Sequence, residues 1–288
     1  AFFASCSDDD KDPFKNYSAD YSGDKLALKL NGKEFSGTSV SFNSENKKNA
    51  TLTLNKLIPG EPALEVKNLI VEELAGDDYT FAGENKNDDR IVLVEGAVKS
   101  GVLSLNTSFK VISKVVGEWM LAKPEMDDSY NMVSSCIHLE IVTDVDSIAF
   151  PIWGKLPINP NPEIEGDLGL TTLLQTLGGG ILPGLLKKMN LKEDGNLIAS
   201  YHQITGIQDL FQPDATPLVD SEEGLVRYNV KDGQIYILVD IESLLGRSTE
   251  NNPTSMLMTM LETGIPLKVQ LDGEKMRAYV DREMMLPF

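Results

Sequence analysis

Between Leu26 and Ile112 apolar residues recur at every second position, in short runs broken by turn residues, and no stretch of helical period intervenes. Leu26, Leu28 and Leu30 alternate with Ala27 and Lys29 and lead into Asn31-Gly32. Both residues of that dipeptide tolerate positive φ, so it closes a tight hairpin. Further runs at 39–42, 50–54, 64–72, 78–82, 91–98 and 102–112 are separated by Pro59-Gly60, Gly76-Asp77, Gly83 and Ser100-Gly101. Strands this frequent, with one apolar side each, predict an antiparallel meander that buries one face.

A second section begins near residue 115. Gly117-Glu118-Trp119 starts a strand, 136–142 and 147–153 continue the pattern, and Pro157, Pro160 and Pro162 force an extended loop. Then the period changes. Leu170, Leu173, Leu174, Leu177, Ile181, Leu182, Leu185, Leu186 and Met189 fall at steps of three and four, a stripe on one helix face. Gly178-Gly179-Gly180 and Pro183 interrupt it, so the expectation is two shorter helices with a bend, an insert at about 168–190. Asp194-Gly195, Asp232-Gly233 and Asp272-Gly273 each predict a hairpin, and a short methionine-rich helix is expected at 254–263. The fold class expected is mainly β (α+β), with an N-terminal antiparallel β domain at 23–114 and a C-terminal β domain with the helical insert at 115–288.

The chain of 288 residues carries a formal net charge of −18. Four aspartates and one lysine give residues 1–12 a charge of −3, which leaves −15 on the body. That field repels phosphate backbones, and no lysine or arginine cluster interrupts it, so nucleic acid is not an expected partner. Direct adhesion to anionic lipid is disfavoured for the same reason. Of the two cysteines, Cys136 lies in an alternating stretch and reads as a small buried hydrophobe.

Catalytic chemistry finds few residues to use. There are two histidines, His138 and His202, and no Gly-x-Ser-x-Gly elbow. Cys136 and His138 would share one strand face, but a reactive thiolate also needs an electropositive, accessible setting. Cysteine and histidine spacing offers no zinc site. Asn85, Asn87, Asp88 and Asp89 crowd one loop, and Asp127, Asp128 and Asn131 another, without the glycine and distal glutamate of a calcium loop. The expectation is a protein that is not an enzyme and that uses no metal and no cofactor.

The residues Phe3-Ala4-Ser5-Cys6, followed by Ser7, Asp8, Asp9 and Asp10, resemble the lipobox and adjoining acidic export signal of Bacteroides-type surface lipoproteins. The resemblance implies that 1–5 is the end of a signal peptide, that Cys6 carries the lipid, and that 6–22 is a lipidated acidic tether. It further implies an outer-membrane location facing the exterior, with the periplasmic leaflet as the alternative. After the lipobox no apolar run reaches the ~18–20 residues of a membrane span.

Gly117-Glu118-Trp119 is similar to the first-strand signature of lipocalins and other calycins. There a tryptophan caps a barrel and a late arginine packs over its ring; Arg277 or Arg282 would take that part here. The chain more broadly resembles an uncharacterised family of Bacteroides-type lipoproteins with calycin-like β-barrel domains. A competing resemblance is to the elongated tubular lipid-binding fold of bactericidal permeability-increasing proteins. These readings converge on a non-catalytic binding module for an apolar or lipid-like ligand. The candidate surface is Leu174, Leu177, Ile181 and Leu185 with Met256 and Met260. The alternatives are an accessory subunit of a surface complex and a hydrolase.

Overall fold

The computed structural model describes residues 15–44, 49–128, 132–141, 144–150, 154–159, 161, 169–210, 212–240 and 264–285. Nine strands form the first sheet: β1 (Ala19–Ser22), β2 (Leu26–Leu30), β3 (Lys33–Phe35), β4 (Ser39–Ser44), β5 (Ala50–Ile58), β6 (Glu61–Glu73), β7 (Tyr79–Lys86), β8 (Arg90–Lys99) and β9 (Val102–Val111). Their order is β1-β4-β5-β6-β7-β8-β9-β2-β3, a meander from β4 to β9 in which β2 joins β9 in parallel. The sheet is a curled half-barrel, and the protein is mainly β.

Two local features make this sheet curl. β5 and β6 lose register twice, and beside those irregularities Lys56 and Asn68 adopt positive φ (52° and 57°). Such bulges bend a strand and increase its twist. The chain also passes from β1, first in the sheet, to β2, eighth in the sheet, through only Gly23–Lys25. Three residues reach at most about 11 Å, so the two regions must be brought together by rolling the sheet. At the β8–β9 turn Ser100 and Gly101 have φ of 51° and 80°, the pair of left-handed conformations that a two-residue hairpin requires.

Side chains fill the concave face. Val40, Phe42, Leu52, Leu54, Val66, Val92, Val94, Leu103 and Leu105 are buried, each stabilising by roughly 1.5–3 kcal/mol. Packing is tight enough that a Cβ on Gly96 would lie 2.1 Å from the Phe81 ring.

Contacts divide the chain into two units: Ala1–Val115 with Glu193–Gly195 and Val226–Phe288, and Val116–Lys192 with Asn196–Leu225. The second contains β10 (Gly117–Trp119), β11 (Glu125–Met126), β12 (Met132–Ser134), β13 (Ser147–Phe150), β14 (Gly154–Pro157), α1 (Leu170–Leu185), β15 (Leu186–Leu191), β16 (Leu197–His202) and β17 (Leu218–Asp220). The sheet β10-β15-β16-β17 is its largest. β18 (Val226–Lys231), β19 (Gln234–Val239), β20 (Ile265–Asp272) and β21 (Lys275–Tyr279) form a four-stranded sheet of the first unit.

Several expectations are corrected. Among the described residues beyond 115, β18–β21 group with the N-terminal strands and not with β10–β17; Asn229 Nδ2 donates to Pro59 O (3.0 Å) and Arg227 to Leu57 O (2.9 Å). The expected tether to residue 22 already belongs to the fold from Tyr17, where Tyr17 and Tyr21 are buried. The described part of 136–142 is not a strand: Leu139 N–H is donated to the Gln175 side chain (3.0 Å) rather than to a neighbouring strand. The helical stripe forms one helix through all three glycines, with Pro183 in its last turn, while Leu186 and Met189 belong to β15. Residues 151–153 and the expected helix at 254–263 lie outside the described residues.

Candidate functional site

The helix α1 is buried on an unexpected side. Its buried residues are Thr171 and Gly179, and not its leucines. A Cβ on Gly178 would lie 2.6 Å from Ile137 Cδ1, and one on Gly179 would lie 1.6 Å from Ser135 Oγ. Gly178 and Gly179 thus leave room for the Ile137 and Ser135 side chains to lie against the helix, space that a Cβ would fill. One of the first helical N–H groups is met by backbone outside the helix: Thr171 N–H is donated to Ile158 O at 3.0 Å.

On the other side Leu174 and Leu177, one turn apart, are 45% and 47% exposed, and Ile181 and Leu185 are half-buried. Met120, Met126, Val133 and Val145 of the same unit are exposed too. Large exposed apolar side chains placed in neighbouring turns are a recognised mark of a contact surface. Of the sequence-selected surface, Met256 and Met260 lie outside the described residues, as do Cys6, Ser7, Asp8, Asp9 and Asp10.

The barrel signature is not where a barrel begins. Gly117-Glu118-Trp119 is a three-residue strand at the edge of the β10-β15-β16-β17 sheet, and Trp119 is only half-buried. Arg277 is exposed on β21 in the other unit. A cation–π contact in the first unit is Arg227 over Phe35, at 4.8 Å. The curl comes instead from β1–β9, which precede this motif.

Two concavities were not read from sequence. One, a cleft of about 540 Å³, is lined by Glu61, Glu65, Lys67, Glu84, Asn85, Lys86 and Arg90 among others. At its base Arg90 Nε and an Arg90 terminal nitrogen each donate to Glu61 at 2.6 Å, and the other terminal nitrogen donates to Asn85 Oδ1 at 2.8 Å. Asn229 Nδ2 also donates to Glu61, at 3.1 Å. With its partners spoken for inside the protein, this ion pair is structural. The signal that could have marked it is a lone Arg at a strand start facing a Glu after Pro59-Gly60.

The other, about 310 Å³, lies where the chain enters the half-barrel, beside Lys15, Tyr17, Tyr21, Asp77 and Tyr79. Tyr21 and Tyr79 share a hydroxyl hydrogen bond of 2.9 Å, and burial pushes the Tyr79 phenol well above its ordinary range.

His138 is exposed, Cys136 is half-buried, and burial pushes the Cys136 thiol up, away from the thiolate. His202 is buried with Nδ1 2.9 Å from Thr216 O and Nε2 3.4 Å from Asp214, whose carboxylate Lys187 holds below its usual range. Among the described residues no three His, Cys, Asp or Glu side chains are grouped to hold a metal ion. Compared with family models, curated proteins and solved structures, the chain shows no match.

Proposed function

We propose that this protein is a lipid-anchored, non-catalytic binding module at the outer-membrane surface, facing the exterior, and that it holds an apolar or lipid-like ligand against α1. The observation that carries the reading is the inverted helix: Thr171 and Gly179 are buried while Leu174 and Leu177 are exposed. Leaving nearly half of each leucine in water forgoes roughly half of the ~1.5–3 kcal/mol that full burial supplies, a cost that an apolar partner would offset. The ligand is assigned to this surface and not to the half-barrel, whose concave face is filled by its own side chains. An acylated Cys6 supplies the second support, since it would keep the fold beside a reservoir of lipid.

Titration with a dansyl-labelled fatty acid tests the reading. Wild type should bind it with a blue-shifted, enhanced emission, and Leu174→Glu/Leu177→Glu should lose that signal while its thermal midpoint stays unchanged. A wild type that leaves the probe in water overturns the reading, as does a double variant that binds as tightly as wild type. Native mass spectrometry of protein purified from its own cells would show which lipid accompanies it.

A further inference from the structure

We infer that the end of the half-barrel at which the chain enters faces the bilayer, and that the opposite end, with the 59–60 and 87–89 turns, points away from it. The inference rests on Cys6 being the lipid attachment point. Its structural part is independent of that reading. Tyr17 is fixed by its N–H to Ser44 Oγ (2.8 Å), by its hydroxyl to Glu73 (3.3 Å) and by ring contact with Tyr79 (4.5 Å between centroids). Lys15 pairs with Asp77, and Ser100 N–H donates to Asp78 (2.9 Å). The end of β4, the β6–β7 connection and the β8–β9 turn therefore gather around the point of entry.

Strand direction then sets the opposite end. β6 runs from Glu61 to Glu73 and β7 returns from Tyr79 to Lys86, so the turns before β6 and after β7 lie at the far end. β8 and β9 are ten residues each, about 33 Å at ~3.3 Å per residue. From Ser7 to Asn16 there are ten residues between the lipidated cysteine and Tyr17. They reach at most about 36 Å. With Cys6 acylated, the unit would be tied to the bilayer through its entry end, by a link of at most about 36 Å. Net charge does not work against this arrangement: the body carries −15 after the first twelve residues are removed from −18, which disfavours adhesion to an anionic leaflet.

Energy transfer from the protein to a headgroup-labelled lipid reads the orientation. Acylated full-length protein with Cys136→Ser is given a single donor at Lys99→Cys, near the entry end, or at Asp88→Cys, at the far end; both positions are exposed. The variants are reconstituted in phosphatidylethanolamine/phosphatidylglycerol vesicles containing a rhodamine-labelled lipid. The position-99 donor should be quenched more than the position-88 donor, and the difference should persist at high salt. Equal or reversed quenching in protein that floats with the vesicles overturns the orientation and leaves the anchor standing. Acylated protein that fails to float overturns the anchor reading, and the orientation with it.

Discussion

Glu61 and Arg90, at the first positions of β6 and β8, meet through two hydrogen bonds of 2.6 Å while being 7% and 2% exposed. β7 lies between their strands, so the pair crosses a neighbour at the end of the sheet where Asn229 also arrives. An ion pair this deep is expensive to break, because removal of one partner strands the other charge away from water. Arg90→Met and Glu61→Leu should each cost about 3–5 kcal/mol in urea unfolding. The double variant should cost less than the two singles combined, since neither charge is then left alone. Additive costs would show that the two side chains are not coupled.

The glycine face of α1 yields a pair of opposite signs. Alanine is the better helix former at either position by roughly 0.8–1 kcal/mol. Gly180 is exposed, with Met132 Cε 3.6 Å from an added Cβ, so Gly180→Ala should raise the thermal midpoint. Gly179→Ala should lower it, because its Cβ would meet Ser135 Oγ at 1.6 Å and Ser135 Cβ at 2.8 Å. Stabilisation by both substitutions would mean that residues 132–137 do not press on the helix.

Alkaline stability should depend on Tyr79. Burial first, and then its hydrogen bond with Tyr21, raise the folded-state phenol above the unfolded value of about 10. Below about pH 10 both states keep the proton and the contribution is fully present. As pH rises further the unfolded chain loses its proton first, so stability falls toward the folded-state value. Burial shifts Tyr228 in the same direction. Urea midpoints measured from pH 8 to 11 should decline above about 10, and Tyr79→Phe should flatten part of that decline. An equal slope in the variant would place the alkaline sensitivity elsewhere.

The proposed anchor predicts that Cys6→Ala leaves the folded body intact and releases it from membranes, because the two or three acyl chains proposed for Cys6 would supply ~0.8 kcal/mol per buried CH₂. Replacing Asp8, Asp9 and Asp10 by alanine should keep the lipid but withdraw the protein from protease shaving of intact cells. A Cys6→Ala protein that still pellets with membranes after carbonate washing, or equal digestion of the triple variant and wild type, would contradict the corresponding assignment.

What residues a few positions apart can encode was legible without a structure. Leu26, Leu28 and Leu30 announced a strand, Asn31-Gly32 and the three Asp-Gly pairs announced hairpins, and all four hairpins are present. Period and turn chemistry need no distant partner, which is why sequence alone determined a mainly β meander followed by one helical insert. Tertiary structure decided the rest. Nothing local to Leu28 selects Leu105 as its parallel neighbour, or sends Asn229 to Glu61, since those pairings depend on closing long loops around a shared core. The same holds for α1. Its leucine stripe marked helical chain but as two short helices where one formed, and Gly179, read as an interruption, is buried against the Ser135 side chain where an added Cβ has no room.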